Sequence, residues 1–461
     1  MADGPRVVII GAGPTGLGAA YRLQELGHEN WVMLEANDYV GGLATSFTDD
    51  KGFVYDIGGH VMFSHYPYWD ALCAKLMNGE YTELHREAFV WMEDRFIPYP
   101  FQNNVAGLEP QTALDCVMGL IEAQKEPRTY SNFLEWMKAV HGEGITKHFM
   151  QPYNFKVWAT PAELMNYLWI GERVSVVNTE MVMKNILFGA PEKTWGPNST
   201  FQYPLKGGTG AIYNAFLPYV ENNLRLNTAV ASIDPLEKVV TTASGEKFPY
   251  DVLLNTMPVN KLIAGMSSVP DAVSTAASTG LQWSGGHIVG VGLNRKTDSD
   301  KNWIYFPETD VPFYRVTYLS NYSPYITPEE DQMLFLTETS YSPYKDEPEE
   351  TIVERVIDGL IKTKLMTEED RGLIATTWRH SPKMTYPTPS VTRDGALGVI
   401  QPWLRSQDIY SRGRFGAWLY EIGNMDHSVM QGVEFTNKIL LGEDETVWIP
   451  RGETEEASRI F

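Results

Sequence analysis

The first part of the chain alternates between apolar runs and polar breaks in the order strand, turn, helix, strand. Residues 6–10 form a short β-branched apolar run, and a glycine-rich stretch follows at 11–16. Apolar side chains then recur at the three- and four-residue spacing of a helix, from Leu17 to Leu26. A second apolar run at 31–35 ends in an acidic residue. The pattern predicts one βαβ unit.

The remaining pattern divides the chain into three predicted domains. Helix-like segments predict a mainly helical insert over 104–200. These segments lie at 112–124, 130–140 and 161–170. Alternating residues with many aromatics predict an antiparallel β-sheet substrate domain over 286–404. A strand at 251–256 is predicted to return to the first sheet, so the nucleotide-binding domain is discontinuous and the fold class is α/β. That domain takes residues 1–103, 201–285 and 405–461.

Composition and charge exclude several classes of protein. The 58 acidic residues outnumber the 37 basic ones and give a net charge of −21, so general affinity for nucleic acid or anionic lipid is not expected. The only two cysteines, Cys73 and Cys116, exclude a disulfide scaffold and a thiolate-rich zinc site. No apolar stretch reaches the ~18 residues of a membrane span. We expect a cytoplasmic protein without a metal site, whose anionic ligands bind to local arginines.

The glycine-rich turn has the context of a dinucleotide-binding site. Gly11 and Gly13 permit a tight turn and a close backbone approach, and Gly16 permits close packing of the following helix. Thr15 lies in the same turn, at a helix N-terminus that can bind a pyrophosphate. Glu35 stands at the end of the second strand, where a carboxylate accepts hydrogen bonds from a ribose diol. Its charge disfavours a 2′-phosphorylated ribose.

The residues after the second strand favour FAD over NAD. The segment NDYVGGLAT at 37–45 resembles the second glycine motif of the glutathione-reductase-like flavoproteins, in which paired glycines lie over the pyrophosphate. Gly42 and Leu43 are therefore expected to contact FAD. The predicted architecture becomes a Rossmann-like, glutathione-reductase-like FAD-binding domain with the helical insert and the sheet domain added to it.

Longer motifs extend the resemblance over nearly the whole chain. The chain resembles the UDP-galactopyranose mutase family, and it is most similar to the long fungal and protozoan branch. The motifs occur in the same order as in that family. They are DIGGHVMFSH at 56–65, PYPFQN at 98–103, QPYNFKVW at 151–158, WGPN at 195–198, FYR at 313–315, NYSPY at 321–325 and RGRFGAWLYEIGN at 412–424.

The resemblance implies an isomerase whose flavin chemistry is redox-neutral. Members of the family interconvert UDP-galactopyranose and UDP-galactofuranose, the step that supplies galactofuranose for biosynthesis. The N5 atom of reduced FAD attacks the anomeric carbon, and UDP is the leaving group. NADPH or NADH is the implied reductant, bound transiently in the substrate cleft. The reaction requires a site that holds a diphosphate over N5 and excludes water.

The resemblance also implies which residues act on the substrate. Arg173 and Arg315 match two arginines that clamp the diphosphate, for which the planar guanidinium fork is suited. His60 matches a histidine beside N5, and these three residues are the implied catalytic groups. An ion pair with Glu172 is the alternative for Arg173, and a helix core position is the alternative for Trp158. Three phenols that match phosphate contacts are those of Tyr305, Tyr386 and Tyr420. The residues that match uracil, uridine and sugar contacts are Tyr99, Gln102, Asn154, Trp158 and Asn198.

The C-terminal motif matches the family's last flavin-binding stretch. By this resemblance, Arg414, Gly423 and Asn424 are implied to bind the flavin. Met425 stands where the fungal pattern has a glutamine, and it is counted with the flavin-binding residues.

Other functions remain open from the sequence. An amine-oxidase-like FAD oxidoreductase would share the nucleotide-binding fold, and a GDI-like carrier of lipidated proteins would share it without flavin. The intact turn and Glu35 argue against the carrier. Within the mutase family, a UDP-pentose or UDP-deoxysugar is an alternative substrate, because a diphosphate clamp does not distinguish the hydroxyls of the sugar. A homo-oligomer is a further expectation.

Overall fold

The computed structural model describes residues 4–125, 129–193, 195–196, 198–297 and 299–450, and for Glu172 its backbone alone. The last part of the predicted nucleotide-binding domain, 451–461, lies outside the described residues. The strands are β1 (Val7–Ile10), β2 (Trp31–Leu34), β3 (Ser46–Thr48), β4 (Val54–Asp56), β5 (Tyr81–His85), β6 (Ala88–Met92), β7 (Arg95–Pro98), β8 (Thr200–Pro204), β9 (Leu224–Arg225), β10 (Val230–Asp234), β11 (Val239–Thr242), β12 (Lys247–Pro249), β13 (Val252–Asn255), β14 (Gln282–Leu293), β15 (Trp303–Tyr305), β16 (Arg315–Tyr318), β17 (Met333–Tyr341), β18 (Ile374–His380), β19 (Tyr386–Thr388) and β20 (Ile409–Ser411).

Helices connect and cover these strands. They are α1 (Pro14–Glu25), α2 (Pro67–Met77), α3 (Pro110–Ala123), α4 (Phe133–Ile145), α5 (Gln151–Trp158), α6 (Thr179–Phe188), α7 (Gly210–Asn214), α8 (Leu217–Val220), α9 (Val259–Ala264), α10 (Asp271–Thr279), α11 (Ile352–Lys362), α12 (Arg393–Ser406) and α13 (Met425–Leu441). A π-helical turn, Thr146–Met150, joins α4 to α5.

A five-stranded parallel sheet contains the predicted βαβ unit. Its strand order is β20-β13-β1-β2-β9, and every neighbouring pair is parallel. The central strand β1 is buried along its whole length, as expected for a sheet covered on both faces. The predicted return of the 251–256 strand is confirmed, because β13 pairs with β1 in register from Val7 to Ile10.

The first and last helices of this sheet pack unusually closely. A side chain at Gly18 of α1 would overlap the carbonyl oxygen of Val429, and a side chain at Gly432 of α13 would overlap that of Thr15. Glycine at these two positions lets the helix backbones approach each other directly. The turn after β1 is therefore supported from behind by residues more than 400 positions later in the chain.

A second, eight-stranded sheet forms the predicted antiparallel region. Its main order is β18-β14-β17-β16-β15-β6-β7, and β19 pairs with the first part of β14. Its pairs are antiparallel except β15 with β6. The central strands β14 and β17 are buried on both faces, because α11 covers one face and Phe53 and Tyr55 cover the other. Strands β6 and β7 belong to this sheet by pairing, which the sequence did not predict.

The helical insert has its own aromatic core. Phe133, Trp136, Trp158 and Trp169 are buried together there. The helix predicted over 161–170 is wrong, and this segment holds a short 3-10 turn, Ala162–Leu164, instead. The following backbone pairs elsewhere: the Asn166 N–H donates to the Pro389 carbonyl, and the Met165 carbonyl accepts from Phe133. These long-range partners take the groups that a helix would have used.

Within the part of the chain that the structure describes, every helix is too short or too polar to cross a bilayer.

Candidate active site

A cavity of about 810 Å³ lies between the carboxyl ends of the parallel sheet and the eight-stranded sheet. Such crevices at strand ends are the usual ligand sites of α/β folds. It brings together most of the residues that the sequence singled out. They are Gly11, Gly13, Thr15, Glu35, Gly42, Leu43, His60, Tyr99, Arg173, Asn198, Tyr305, Arg315, Tyr386, Arg414, Tyr420, Gly423, Asn424 and Met425.

Four predicted residues lie behind the cavity wall. Gly16 faces the turn, where a side chain would overlap the Gly11 carbonyl oxygen. Asn154 donates to the Met150 carbonyl at 2.7 Å. Gln102 donates to the Met150 sulfur at 3.4 Å, and its buried Oε1 has no hydrogen-bond partner among the described residues. Trp158 is 1% exposed, with its ring centroid 4.8 Å from that of Tyr420 and 5.5 Å from that of Tyr386.

The turn after β1 fits a dinucleotide. Gly11 has φ of +98°, and a Cβ at Gly13 would meet no protein atom within 4 Å because that position faces the cavity. Gly13 is the N-cap of α1 and makes no side-chain cap, so the first N–H groups of the helix are open to an anion. The second glycine turn touches the first, with Gly42 close to the Gly13 Cα atom.

Glu35 is held rigidly at the end of β2. Its Oε2 accepts the Ala12 N–H at 2.7 Å, and its Oε1 accepts the backbone and side-chain N–H groups of Asn37 at 2.9 and 2.8 Å. The carboxylate thus fixes the turn and stands at the cavity edge. Asn424 also lines the cavity and is the N-cap of α13 without a side-chain cap, and Met425 is the first residue of that helix. Two helix N-termini therefore face this cavity, which fits the phosphates and ring of FAD.

His60 lies on a loop that lines the cavity. Its Nδ1 is 3.1 Å from the Gly58 carbonyl oxygen. Desolvation lowers the pKa of His60, with Arg414 and Arg315 acting in the same direction and Asp56 and Glu338 opposing them. The imidazole is therefore neutral near pH 7, when it can accept or donate a proton through one nitrogen.

The two arginines proposed as a clamp differ in their partners. Arg173 donates from Nη2 to the Glu421 carbonyl, and its guanidinium lies 5.5 Å from the Tyr420 ring. Arg315 forms a bidentate pair with Glu338, at 2.6 Å from Nε and 2.9 Å from Nη2. The contacts of Arg173 are to a carbonyl and an aromatic ring, so they do not neutralise its positive charge. The charge of Arg315 is neutralised by a buried carboxylate.

Aromatic side chains form the wall around the arginines. The Arg414 guanidinium lies 4.9 Å from the Tyr386 ring and 5.6 Å from the Tyr420 ring. On the other side, Tyr99 and Tyr305 have ring centroids 5.3 Å apart. Burial raises the pKa of Tyr99, Tyr305 and Tyr386, so their phenols are protonated at neutral pH. The wall offers hydroxyl donors inside a largely apolar enclosure.

Sequence reasoning missed Glu338, which lines the cavity from β17. Its signal was available, since it is the one charged residue of the strand MLFLTETSY. It also missed a polar group on the loop after His60. His65 Nδ1 and His427 Nδ1 lie 2.6 and 3.0 Å from the two oxygens of Asp426. His65 and Asp426 are 361 positions apart, so spacing could not have revealed the group, and both Nδ1 atoms are engaged by the carboxylate.

Comparisons with known proteins agree with this architecture. The model of the flavin-containing amine oxidoreductases matches residues 14–415. A crystal structure of reduced UDP-galactopyranose mutase is 41% identical, covers 96% of this chain and 95% of its own, and superimposes with a TM-score of 0.93. A putative protoporphyrinogen oxidase from Exiguobacterium sp. 255-15 has a TM-score of 0.73 at 17% identity over 96% of this chain and 100% of its own, which shows a shared fold.

Curated relatives match over short stretches. The 15-cis-phytoene desaturase of Glycine max is 40% identical over 70 residues, which is 15% of this chain and 12% of the desaturase. Polyamine oxidase 1 of Zea mays is 51% identical over 39 residues, 8% of each chain. The fold and the whole-length match define the class: the chain belongs to the flavin-containing amine oxidoreductase family. Within that class its family is that of the UDP-galactopyranose mutases.

Proposed function

We propose that the protein is a flavin-dependent UDP-sugar mutase that interconverts UDP-galactopyranose and UDP-galactofuranose without net oxidation. One observation carries this proposal: a single cavity joins the open N-terminus of α1 to Arg173 and Arg315. A dinucleotide and a second diphosphate can therefore lie next to each other. The amine-oxidase-like alternative is not favoured, because an amine substrate has no use for two arginines in its cleft.

The chain's own residues would hold both ligands. The FAD pyrophosphate would lie on the N–H groups that follow Gly13, with Gly42 and Leu43 over it, Glu35 at the ribose and Arg414, Gly423, Asn424 and Met425 at the opposite end. When bound and reduced, the flavin supplies a nucleophilic N5 at the anomeric carbon. Arg173 and Arg315 would bind the UDP diphosphate before and after its bond to the sugar breaks, and His60 would hold or move a proton near the sugar ring.

The aromatic wall would exclude water from the reacting carbon. The hydroxyl of Tyr420 and the protonated phenols of Tyr305 and Tyr386 can donate hydrogen bonds to phosphate oxygens. We propose that Trp158 acts from behind by fixing Tyr386 and Tyr420. Tyr99 and Asn198 would face the uridine. Gln102 and Asn154 would contact the uridine and the sugar. For Gln102 the support is its buried Oε1, which has no hydrogen-bond partner among the described residues.

The test is whether a single reduction of the flavin supports many turnovers. Protein reduced with dithionite and freed of excess reductant under anaerobic conditions should convert UDP-galactofuranose to UDP-galactopyranose for many cycles per flavin. The flavin should still be reduced at the end, and the oxidised protein should be inactive. Consumption of one reductant per product would identify an oxidoreductase instead. A UDP-pentose assayed in parallel decides between hexose and pentose specificity.

The reductant, the compartment and the assembly state belong to the same proposal. We propose that NADPH or NADH reduces the flavin from within the substrate cavity, so UDP should inhibit flavin reduction competitively in stopped-flow measurements.

Cys73 and Cys116 are both buried free thiols, which supports a cytoplasmic location. Fractionation of cells should place the protein in the cytoplasmic fraction.

We propose that a second copy of the chain docks on the helical insert. Half of the large apolar side chains that are exposed among the described residues lie there, including Leu114, Met118 and Ile121 of α3 at the 4-3 spacing of a helix-packing seam. Two ion pairs lie on the helices of the insert, Glu122 with Lys125 at the end of α3 and Glu180 with Lys184 on α6. The face is therefore locally neutral in a protein of charge −21.

Sedimentation velocity tests this surface. The wild-type protein should sediment as an oligomer, and Met118→Glu should convert it to a monomer with flavin bound. A matched change at Leu236, an exposed residue outside the insert, should leave the oligomer intact. A wild-type monomer at micromolar concentration would contradict the proposal.

A further inference from the structure

Glu338 is a buried carboxylate with four hydrogen-bond donors. It is 3% exposed in the middle of β17. It accepts from Arg315 Nε at 2.6 Å, Arg315 Nη2 at 2.9 Å, the Gly59 N–H at 3.0 Å and the Tyr314 hydroxyl at 2.7 Å. Burial alone would raise the pKa of this carboxyl, but Arg315 and the other donors lower it. The group is therefore a fixed negative charge, fully satisfied by its neighbours.

The pairing leaves one edge of Arg315 for a ligand. Nε and Nη2 are both engaged by Glu338, and Nη2 also donates to the Gly59 carbonyl at 3.3 Å. Nη1 makes no hydrogen bond to any residue that the structure describes. An arginine without this partner could turn about its long side chain and chelate a phosphate with either edge. Here the guanidinium plane is set in advance, and its free donor edge is the one at Nη1.

The same carboxylate holds the loop that carries His60. Both polar groups of Gly59 are engaged, its N–H by Glu338 and its carbonyl by Arg315. Gly58 has φ of +94°, and a Cβ there would lie 3.1 Å from Glu338 Oε2, so the loop passes directly against the carboxylate. His60 is the next residue after this clamp. Any displacement of the Arg315 guanidinium therefore changes the support of the His60 loop.

Together these contacts assign a role that the motifs did not contain. Resting on the proposed function, we propose that Glu338 is a positioning residue that orients Arg315 toward the diphosphate and couples diphosphate binding to the position of the His60 loop. It also offsets the charge of Arg315, so UDP meets a neutral pair there and, at Arg173, a cation that no described carboxylate pairs with. The expected consequence is that Glu338 favours turnover at the expense of UDP affinity.

The test compares Glu338→Gln and Glu338→Asp with Asp370→Asn in the flavin-loaded protein. Asp370 forms a matched bidentate pair with Arg295, at 2.9 and 3.1 Å, outside the cavity. Glu338→Gln should lower kcat at least 10-fold, while the Kd of UDP measured by calorimetry stays equal or falls. Glu338→Asp keeps the charge, so its UDP Kd should equal that of the wild type, with an intermediate kcat. Asp370→Asn should change neither quantity.

Hydrogen exchange gives a readout that does not depend on turnover. UDP should slow exchange in the 57–63 peptide of the wild-type protein, and Glu338→Gln should abolish that response while UDP still binds. A proportional loss of UDP affinity and kcat, or an unchanged loop response in Glu338→Gln, would overturn the coupling. If Glu338→Gln fails to fold, Glu338→Asp with an unaltered kcat would overturn it as well. A wild-type protein that does not bind UDP would instead refute the proposed function.

Discussion

Arg393 donates two hydrogen bonds of 2.9 Å, from Nη1 and Nη2, to the two carboxylate oxygens of Glu421. The side chains are 0% and 1% exposed, so this ion pair is completely removed from water. Glu421 follows Tyr420 directly in a 3-10 turn, and its carbonyl accepts from Arg173. The buried pair therefore anchors the segment that carries Tyr420 and that accepts the hydrogen bond of Arg173.

Breaking this pair should destabilise the fold. Arg393→Met removes the opposite charge and the two hydrogen bonds that Arg393 gives to the buried Glu421 carboxylate, and breaking such a buried pair costs about 3–5 kcal/mol. Urea unfolding followed by tryptophan fluorescence measures the change. Arg6→Met, which removes an exposed pair with Asp251, is the matched control and should change stability little. Equal stabilities for the two variants would contradict this assignment.

The two clamp arginines should respond differently to truncation. Arg173→Ala should weaken UDP binding about 10- to 100-fold with flavin retained, because the diphosphate site loses one of its two cations. Arg315→Ala should also lower thermal stability, since it leaves the Glu338 carboxylate buried and unpaired. Calorimetry with UDP and thermal melts separate the two effects. If both variants bind UDP as the wild type does, the diphosphate lies elsewhere.

The glycines of the first turn should separate folding from flavin binding. A side chain at Gly13 meets no protein atom within 4 Å, so Gly13→Val should fold and lack FAD. A side chain at Gly16 would overlap the Gly11 carbonyl, so Gly16→Val should impair folding itself. Flavin absorbance and circular dichroism report the two properties. A flavin-loaded Gly13→Val protein would show that the pyrophosphate does not lie on this turn.

Lys156 should make stability depend on pH above neutrality. It is 2% exposed, and burial lowers its pKa to about 7, with the neighbouring Lys345 acting in the same direction. The unfolded chain, with a lysine pKa of about 10.4, binds more protons between these values, so stability should rise from about pH 7 to 10. Lys156→Met should flatten that part of the profile in urea melts. The exposed Lys362→Met is the control and should keep the slope.

The sequence predicted what is encoded over short distances. Gly11, Gly13 and Glu35 lie within one βαβ unit, and the hydrophobic period there specifies both the strands and the turn. The return of β13 to the first sheet was also predicted, because an apolar run that ends in Asn255 indicates a buried strand whichever strand it pairs with. Longer motifs then located most of the cavity wall through the family resemblance.

What the sequence did not predict depends on contacts between distant segments. The 161–170 segment has helical spacing, but its backbone pairs with the Pro389 region, and tertiary contacts outweigh local propensity. Glu338 acts through Gly59, 279 positions away. The sequence did not decide whether Trp158 contacts the substrate or fills a helix core. The fold places it behind the cavity wall, against Tyr420. The ranges of the three domains stay a prediction. The pairing of β6 and β7 with the eight-stranded sheet was not part of that prediction.

The glycine contact between α1 and α13 bears on how the protein is made. The parallel sheet receives its edge strand β20 only at residue 409, and α13, which supports the Thr15 turn, ends at residue 441. During synthesis on the ribosome, the Thr15 turn therefore lacks this support until more than 400 further residues have been made. The emerging polypeptide must keep the apolar faces of β1 and α1 from aggregating during that time. Flavin can be acquired only after α13, which ends at residue 441, has been translated.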